Sequence, residues 1–376
     1  MELFGRGPDA PSLFSRGELL QSVDRFTREV LVDLSRTEIG NAMISPWGVY
    51  DLMSLLRSSA GREAGLALGK VLCTSAMPHD VHSQLRVARA DMLGTIDSGA
   101  LASATAILTD TDVELKEEFR HVAAESFDAD IRQVRFPEPA CQEINEFARM
   151  KTDGRIPKIV DSLRNDARIV AANAISFVDK WQKPFPSDHS GPRPFHLASG
   201  DRVDVPMMEL ESTFEYGEDK LSQHLRLEYR CGLSMSLILP RPGISVSDAL
   251  VSLQTLSSRA HHSYRGVVTL PRWKSEFEWN VLDWVMRKID PAGPKLVFTE
   301  MASEPLSLSA FNQRTFIEVD EEGTDARAIG MFLMTASAKP KIVEPFEFRA
   351  DRPFIYFIRS LSGIPLFAGI VKDPVG

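Results

Sequence analysis

Several stretches in the first half of the chain place their hydrophobic residues at helical spacing. Residues 81 to 94 and 141 to 154 each carry one apolar face, and Gly154 suits the left-handed end of the second helix. Residues 13 to 34 repeat the spacing along one face: Leu19, Val23, Phe26, Val30 and Leu34. The chain therefore begins with amphipathic helices.

One further helix is predicted to be buried on all sides. Ser45 can accept from its first free N–H groups, and Pro46 suits the first helical position because no donor is needed there. Residues 49 to 56 are apolar nearly all round. Such a pattern is typical of a helix at the centre of a domain.

Strand patterns dominate after residue 194. Earlier in the chain, residues 101 to 110 alternate, and residues 167 to 177 form an apolar run typical of a strand covered on both faces. The last run, residues 353 to 374, predicts two strands joined near Gly363. Early helices and late strands favour an α+β fold. Because no linker or repeat divides the chain, we expect a single domain over residues 1–376.

Composition argues against several classes of function. The net charge of -9 is unfavourable for a nucleic-acid surface. The longest uncharged apolar run, residues 169 to 178, is about half of the roughly 20 residues that span a bilayer. The first residues lack a signal-peptide pattern, so we expect a cytoplasmic protein. Secretion is the alternative, if a signal is missing only from this sequence or export is unconventional.

The sequence offers little for catalysis or metal binding. Cys73, Cys141 and Cys231 lack metal-ligand spacing, and the HExxH, GxSxG and phosphate-binding GxxxxGK signatures are absent. His261 and His262 are neighbours and would face different directions. We therefore expect no enzyme, metal site or cofactor. A Ser/His/Asp triad assembled only in space stays an open alternative.

One side of the predicted helix at residues 81 to 94 carries basic residues. His82, Arg86 and Arg89 could attract sulfated polysaccharide, giving a weak glycosaminoglycan contact. An ordinary solvated helix face is favoured, because the chain as a whole is acidic.

Small and larger side chains alternate from residue 324 to 331. Thr324, Ala326, Ala328 and Gly330 are small, and the residues between them are larger. Successive side chains of an extended chain point to opposite faces, so one face of this stretch would be nearly bare. The pattern predicts an extended segment with one face that carries only small side chains.

The sequence resembles the serpins over roughly residues 13 to 374. The most specific match is FRADRPFIYFI, which begins at Phe348. Other matches follow in the order of the family: NAMISPWGV, INEFARMKTDGRIPKIV, NAISFVDKWQKPF, RPFHLASGDRVDVPMM, LSMSLILP and IEVDEEGTDA. The resemblance implies three β-sheets, eight or nine helices and an exposed reactive-centre loop at about residues 322–345.

The resemblance also implies a mechanism. A target protease would cleave the loop and become acylated, and the freed segment would insert into the main sheet. About ten to twenty new backbone hydrogen bonds at roughly 0.5–1.5 kcal/mol each give on the order of 10 kcal/mol. That is comparable with the stability of a typical domain, so the uncleaved protein would be kinetically trapped.

The resemblance gives three groups of residues a role in insertion. The hinge, where insertion begins, would comprise Gly323, Thr324, Ala326, Ala328 and Gly330. The sheet-top cluster, a buried carboxylate and cation beside an indole, would comprise Trp181, Arg272 and Glu321, with Arg272 adding a planar fork in place of the frequent lysine. The sheet-opening cluster, beneath the centre of the sheet, would comprise Ser45, Asn173 and Gln313.

Two departures from the family pattern affect the sheet-opening cluster. Gly48 stands where a second serine is usual, and Gln313 where a histidine is usual. A hydroxyl and an imidazole are therefore missing from a buried network, in which each unmade bond costs roughly 1–3 kcal/mol. We expect altered opening of the sheet.

The position of the cleaved bond depends on the direction of counting. Counting forward from Gly323 gives Ser337–Ala338, and counting back from Phe348 gives Lys339 followed by Pro340. Trypsin-like enzymes accept proline poorly after the cut, which favours Ser337–Ala338.

The residue at the cut indicates the class of target protease. A small residue such as Ser337 suits the shallow pocket of an elastase-like serine protease, whereas a cut at Met334–Thr335 would indicate a chymotrypsin-like one. We therefore predict a monomeric suicide inhibitor of serine proteases that forms a covalent acyl complex. The alternatives are an inhibitor of a cysteine protease and a non-inhibitory serpin acting as carrier, chaperone or scaffold. The short start resembles intracellular animal serpins and viral ones.

Overall fold

The computed structural model describes residues 14–97, 99–127, 129–253, 262–289, 296–324 and 345–375. Within these residues, eight α-helices and one 3-10 turn are present. The helices are α1 (Arg16–Thr37), α2 (Pro46–Ser58), α3 (Arg62–Val71), α4 (Pro78–Asp97), α5 (Glu117–Phe127), α6 (Glu138–Lys151), α7 (Val246–Ser252) and α8 (Val281–Lys288).

Eighteen strands in the described ranges form sheets of nine, seven and two strands. They are β1 (Ala42–Ile44), β2 (Leu101–Thr109), β3 (Asp130–Gln133), β4 (Ile169–Phe177), β5 (Asp179–Lys180), β6 (Gly191–His196), β7 (Arg202–Glu218), β8 (Ser222–Glu228), β9 (Ser234–Pro240), β10 (His262–Pro271), β11 (Trp273–Asn280), β12 (Val297–Phe298), β13 (Leu306–Ser307), β14 (Ala310–Val319), β15 (Gly323–Thr324), β16 (Phe346–Arg349), β17 (Phe354–Arg359) and β18 (Pro365–Val371). The predicted α+β class with three sheets is confirmed.

The described chain divides into two compact units, each built from three separate stretches. The first unit comprises Met1–Thr27, Ile44–Ser176 and Glu278–Thr315. The second comprises Arg28–Met43, Phe177–Phe277 and Phe316–Gly376. Because β4 and β14 contribute residues to both units, the division does not coincide with the ends of elements.

The first unit surrounds the buried helix α2. Ser45 caps this helix by accepting from the backbone N–H of Gly48 at 3.3 Å, and residues 46–57 are all buried, as the apolar pattern predicts. Tyr50 and Trp284 each form a T-shaped pair with Phe26, at centroid distances of 5.8 and 5.7 Å. Beside these helices the strands pair in the order β3, β2, β4 and β14.

The second unit contains most of the nine-stranded sheet. Its strands run in the order β1, β18, β17, β9, β8, β7, β10 and β16, with β6 also paired to β7. Every residue of β17 and β18 is buried, and the two strands form the hairpin that the sequence predicts at residues 353 to 374. The last residue of β14 pairs with β15, which pairs in turn with β5.

Burial keeps one histidine neutral inside the first unit. His82 on α4 lies 3.4 Å from the carbonyl oxygen of Ser54 and stands edge-on to Phe127 at 4.6 Å. Desolvation lowers the pKa of His82 to about 4, and the nearby charges of Arg57 and Arg89 act in the same direction.

We predict that acid destabilises the fold through His82. Below pH 6.5 the unfolded chain binds a proton that the folded protein takes up only near pH 4, so stability falls between these values by about 3 kcal/mol. Urea unfolding at pH 7 and pH 4.5 measures this loss. His82→Gln, which does not titrate, should show a smaller drop in midpoint between the two pH values; an equal drop in both proteins would contradict the assignment.

Candidate functional site

A closed parallel ladder joins β4 to β14. Six consecutive residue pairs are in register, from Val170 opposite Ala310 to Ile175 opposite Thr315. All of β4 is buried, and so is every second residue of β14. A new strand can enter between them only after this ladder is broken.

Further along β14, two residues of the predicted hinge already lie beside the strand. Gly323 pairs with Lys180, and Thr324 pairs with Asp179 on one side and Val319 on the other. Both pairings are antiparallel. Within the second unit, β5 and the end of β14 therefore flank the strand that Gly323 and Thr324 form.

The absence of a side chain allows Gly323 to lie there. A Cβ atom on this residue would lie 2.1 Å from the carbonyl oxygen of Asp179 and 2.7 Å from the Cα atom of Lys180. The preceding turn is held by Asp320, whose Oδ1 accepts from the backbone N–H groups of Glu322 at 2.8 Å and Gly323 at 3.1 Å. Backbone packing therefore requires glycine at position 323.

Thr324 is fully buried and bonded through its hydroxyl group. Its Oγ1 lies 2.6 Å from Oη of Tyr229, whose ring stacks on Trp181 with centroids 4.4 Å apart. We name Asp179, Tyr229, Gly323 and Thr324 the hinge seat. The burial of Thr324 agrees with the inward direction that the alternation of small residues predicts for it.

The sheet-top cluster is assembled beside the hinge seat. Arg272 donates from Nε at 2.9 Å and from Nη2 at 2.5 Å to Oε1 of Glu321, and Ser190 donates to the same oxygen. The indole of Trp181 donates instead to the carbonyl oxygen of Asp320, at 3.0 Å. These bonds fix the chain immediately before Gly323.

One aspect of the predicted pair differs from the expectation. The carboxylate of Glu321 is buried, but the side chain of Arg272 is 47% exposed. The planar fork of the guanidinium donates twice to a single oxygen, Oε1. Burial by itself would raise the pKa of Glu321, but the hydrogen bonds from Arg272 and Ser190 outweigh it and lower that pKa.

The sheet-opening cluster lies across the closed ladder. Gln313 on β14 stands opposite Asn173 on β4, and its Nε2 donates to Oδ1 of Asn173 at 3.0 Å. The same amide accepts from the backbone N–H of Ser45 at 2.8 Å and donates to the carbonyl oxygen of Ser45 at 3.0 Å. Opening the sheet between β4 and β14 must break the bond between the two amides.

Neither Gly48 nor Gln313 leaves an amide group unpaired in this network, and altered opening of the sheet stays a prediction. Gln313 makes three hydrogen bonds, and Nδ2 of Asn173 donates to Thr105 at 3.3 Å. A Cβ atom on Gly48 would lie 2.2 Å from Oδ1 of Asn173. The side chain of Asn173 thus fills the space above Gly48.

The comparison with known proteins identifies the family. A model described as "Serpin (serine protease inhibitor)" matches residues 21–374. The chain belongs to the serpin family. Serpins are typically protease inhibitors, and some are non-inhibitory.

Relatives match this serpin along nearly all of its length. Antitrypsin from Bombyx mori is 28% identical over 366 residues, which cover 92% of each protein. The crystal structure of Serpin48 from the insect Tenebrio molitor is 26% identical, with a TM-score of 0.81, and the match covers 98% of this chain and 100% of that one. Human thyroxine-binding globulin, at 16% identity, shares the fold, with a TM-score of 0.83 and coverage of 97% and 100%.

Several predicted site residues of this serpin lie outside the described residues. They are the later hinge residues Ala326, Ala328 and Gly330, the favoured cut at Ser337–Ala338, and the alternatives Met334, Thr335 and Lys339. Their roles stay predictions.

The structure does not support a basic face made of His82, Arg86 and Arg89. His82 is buried, and Arg89 donates to Asp51 and to the carbonyl oxygen of Ser126, both at 2.6 Å. Arg86 alone of the three is exposed. Neither a metal-binding group of three side chains nor a helix able to span a membrane is found among the described residues.

A Ser/His/Asp constellation does occur in the second unit, but its geometry is unlike a catalytic triad. Ser222 Oγ lies 2.9 Å from Nε2 of His224, and a carboxylate oxygen of Asp219 lies 3.7 Å from the same nitrogen. In a triad the serine and the carboxylate contact opposite nitrogens of the ring. Ser222 is also buried, so substrate could not reach it.

Four residues around the hinge were not predicted from the sequence: Asp179, Ser190, Tyr229 and Asp320. Asp320 stands three residues before Gly323, a spacing typical of a side-chain turn, and could have been found. Tyr229 and Ser190 are distant in sequence and carry no local pattern that points to the hinge. Tyr229 follows β8 and Ser190 precedes β6, so their contacts with the hinge form only in the folded chain.

We predict that Gly48→Ser destabilises the intact serpin. The new Cβ atom would displace Asn173 and break its bond to Gln313, which should cost about 1–3 kcal/mol. The urea unfolding midpoint measures the loss. Gly40→Ser is a matched control, because no atom lies within 4 Å of a Cβ atom there. Equal midpoints for the two variants would contradict the role of Gly48.

Proposed function

We propose that this serpin is a suicide inhibitor of serine proteases. The observation that carries the proposal is the hinge seat: β15 is paired with β5 through Gly323 and Thr324 and with β14 through Thr324, while the ladder between β4 and β14 is still closed. A strand that has begun to enter a sheet needs only a free end to continue its insertion. Cleavage of the loop by a protease would supply that end.

The direction of the hinge supports insertion. β15 runs antiparallel to both β5 and β14, so continued insertion would replace one parallel ladder of six residue pairs by two antiparallel ladders. Antiparallel pairing is somewhat more stable per residue, and twice as many strand edges would be satisfied. The gain is available only to a cleaved loop, because an intact loop is held at both ends.

Burial at the hinge supports inhibition over the non-inhibitory alternative. Thr324 is fully buried, and there is no room for even a Cβ atom at Gly323. Charged or bulky residues at these positions would oppose insertion. The small residues predicted to follow on the same face, Ala326, Ala328 and Gly330, continue the pattern.

The target class rests on the sequence of the loop. A cut at Ser337–Ala338 suits an elastase-like protease, and a cut at Met334–Thr335 suits a chymotrypsin-like one. The Bombyx mori relative named antitrypsin is consistent with a serine protease as target.

We predict an SDS-stable complex with at least one elastase-like or chymotrypsin-like protease. Incubation with a panel that includes trypsin-like and papain-like enzymes, followed by a denaturing gel, would reveal the covalent species as a band of the summed mass. A complex with the papain-like enzyme alone would indicate the cysteine-protease alternative. Cleavage by every enzyme with no complex would favour a carrier, chaperone or scaffold and overturn the proposal.

We also predict that Thr324→Arg converts the inhibitor into a substrate. The buried space that holds Thr324 cannot take an arginine side chain, so the hinge would leave the sheet and insertion would stall. The protease should then cleave the variant without being trapped. Arg327→Ala, at a position where the alternation points outward, is the control and should still form the complex. Retained complex formation by Thr324→Arg would contradict the register of the hinge.

We predict that cleavage of the loop stabilises the protein. A cut within residues 325–344 should raise the melting temperature by on the order of 20 °C, because new strand pairing would contribute about 10 kcal/mol. Differential scanning calorimetry before and after cleavage measures the rise. An unchanged melting temperature would argue against insertion.

A further inference from the structure

The hydroxyl group of Tyr229 makes the one side-chain hydrogen bond described for Thr324. The two oxygens are 2.6 Å apart, and both side chains are buried. Burial raises the pKa of Tyr229 well above its usual value, so its hydroxyl stays protonated at any working pH. A hydrogen bond closed off from water in this way costs more to break than an exposed one, because its two partners would be left unpaired.

Tyr229 is itself held rigidly by aromatic neighbours. Its ring stacks on Trp181 at an interplanar angle of 17°, and it packs edge-on against Phe177 at 4.8 Å. The indole of Trp181 is fixed in turn by its bond to the carbonyl oxygen of Asp320. The Tyr229 ring is therefore held by contacts other than its bond to Thr324.

The hinge seat provides the first paired residues from which an inserting strand can be extended, which we call its nucleus. The first contacts of a new strand are the costliest, because chain entropy is lost before pairing compensates for it. In the intact protein this cost has already been met for Gly323 and Thr324. Insertion after cleavage would then be extension of an existing strand.

We propose that Tyr229 is a positioning residue that holds Thr324 in the sheet of the uncleaved protein and so provides the nucleus from which the cleaved loop inserts. The proposal rests on the proposed function for its effect on inhibition. Its structural part, the holding of Thr324, is independent of any protease.

Loop insertion competes with hydrolysis of the acyl-enzyme. To trap the protease, insertion must be faster than hydrolysis, because hydrolysis would release active protease. Without the Tyr229 hydroxyl the hinge would leave its seat more often, and insertion would start later. More inhibitor would be consumed for each protease trapped, although cleavage of the loop would proceed at the same rate.

Amide hydrogen exchange in the intact protein tests the structural part. Tyr229→Phe and Thr324→Val each remove one hydroxyl and keep the shape, and each should speed exchange of the segment 320–324 roughly tenfold. The double variant should exchange no faster than either single one, because all three lack the same bond. Unchanged exchange in both single variants, or effects that multiply in the double variant, would overturn the proposal.

Two further variants separate this bond from general loosening of the structure. Thr324→Ser keeps a hydroxyl group and should restore slow exchange relative to Thr324→Val. Tyr264→Phe removes a tyrosine hydroxyl from β10, which carries no described bond to the hinge, and should leave exchange as in the unaltered protein. If Tyr229→Phe fails to fold, Thr324→Val and Thr324→Ser still decide the question.

The number of inhibitor molecules consumed per trapped protease tests the effect on inhibition. Tyr229→Phe and Thr324→Val should raise this number at least about twofold, and Thr324→Ser should return it towards the original value. Raised exchange with an unchanged number would overturn the role as a nucleus. If the unaltered protein traps no protease, the proposed function fails, and the exchange measurement alone decides whether Tyr229 holds the hinge.

Discussion

The pairing between β4 and β14 is the constraint on which the rest of the molecule depends. Six residue pairs close the sheet along most of β14, while the end of the same strand already carries Gly323 and Thr324. Under the proposed function, this closed ladder and the short strand β15 belong to the state before cleavage. The barrier to further insertion would then be kinetic.

The two side-chain clusters have different tasks in maintaining that state. The sheet-top cluster fixes the turn before the hinge, through the convergence of Arg272 and Ser190 on one oxygen of Glu321. The sheet-opening cluster ties β4 to β14 directly, through the amides of Asn173 and Gln313. In the proposed mechanism, the sheet-top cluster would position the entering strand, and the sheet-opening cluster would keep β4 and β14 together until the loop is cleaved.

The sequence predicted the elements well where apolar residues run with little interruption. Helix α2, strand β4 and the hairpin of β17 and β18 are buried, as such stretches indicate directly. The resemblance to serpins supplied the members of both clusters but not their bonds. The role of Gly48 is visible only from the short distance between a Cβ atom built there and the side chain of Asn173. The role of Tyr229 is visible only from its contact with Thr324, 95 residues further along the chain. Neither role depends on a local sequence pattern.

The position of Thr324 also fixes which residues would become neighbours in the fully inserted form. If the antiparallel register that pairs Thr324 with Val319 were extended, residue 330 would lie opposite Gln313. If the register that pairs Thr324 with Asp179 were extended, the same residue would lie opposite Asn173. Residue 330 is a glycine. The strand would thus carry its smallest residue to the one place where two amide side chains must part to let it through.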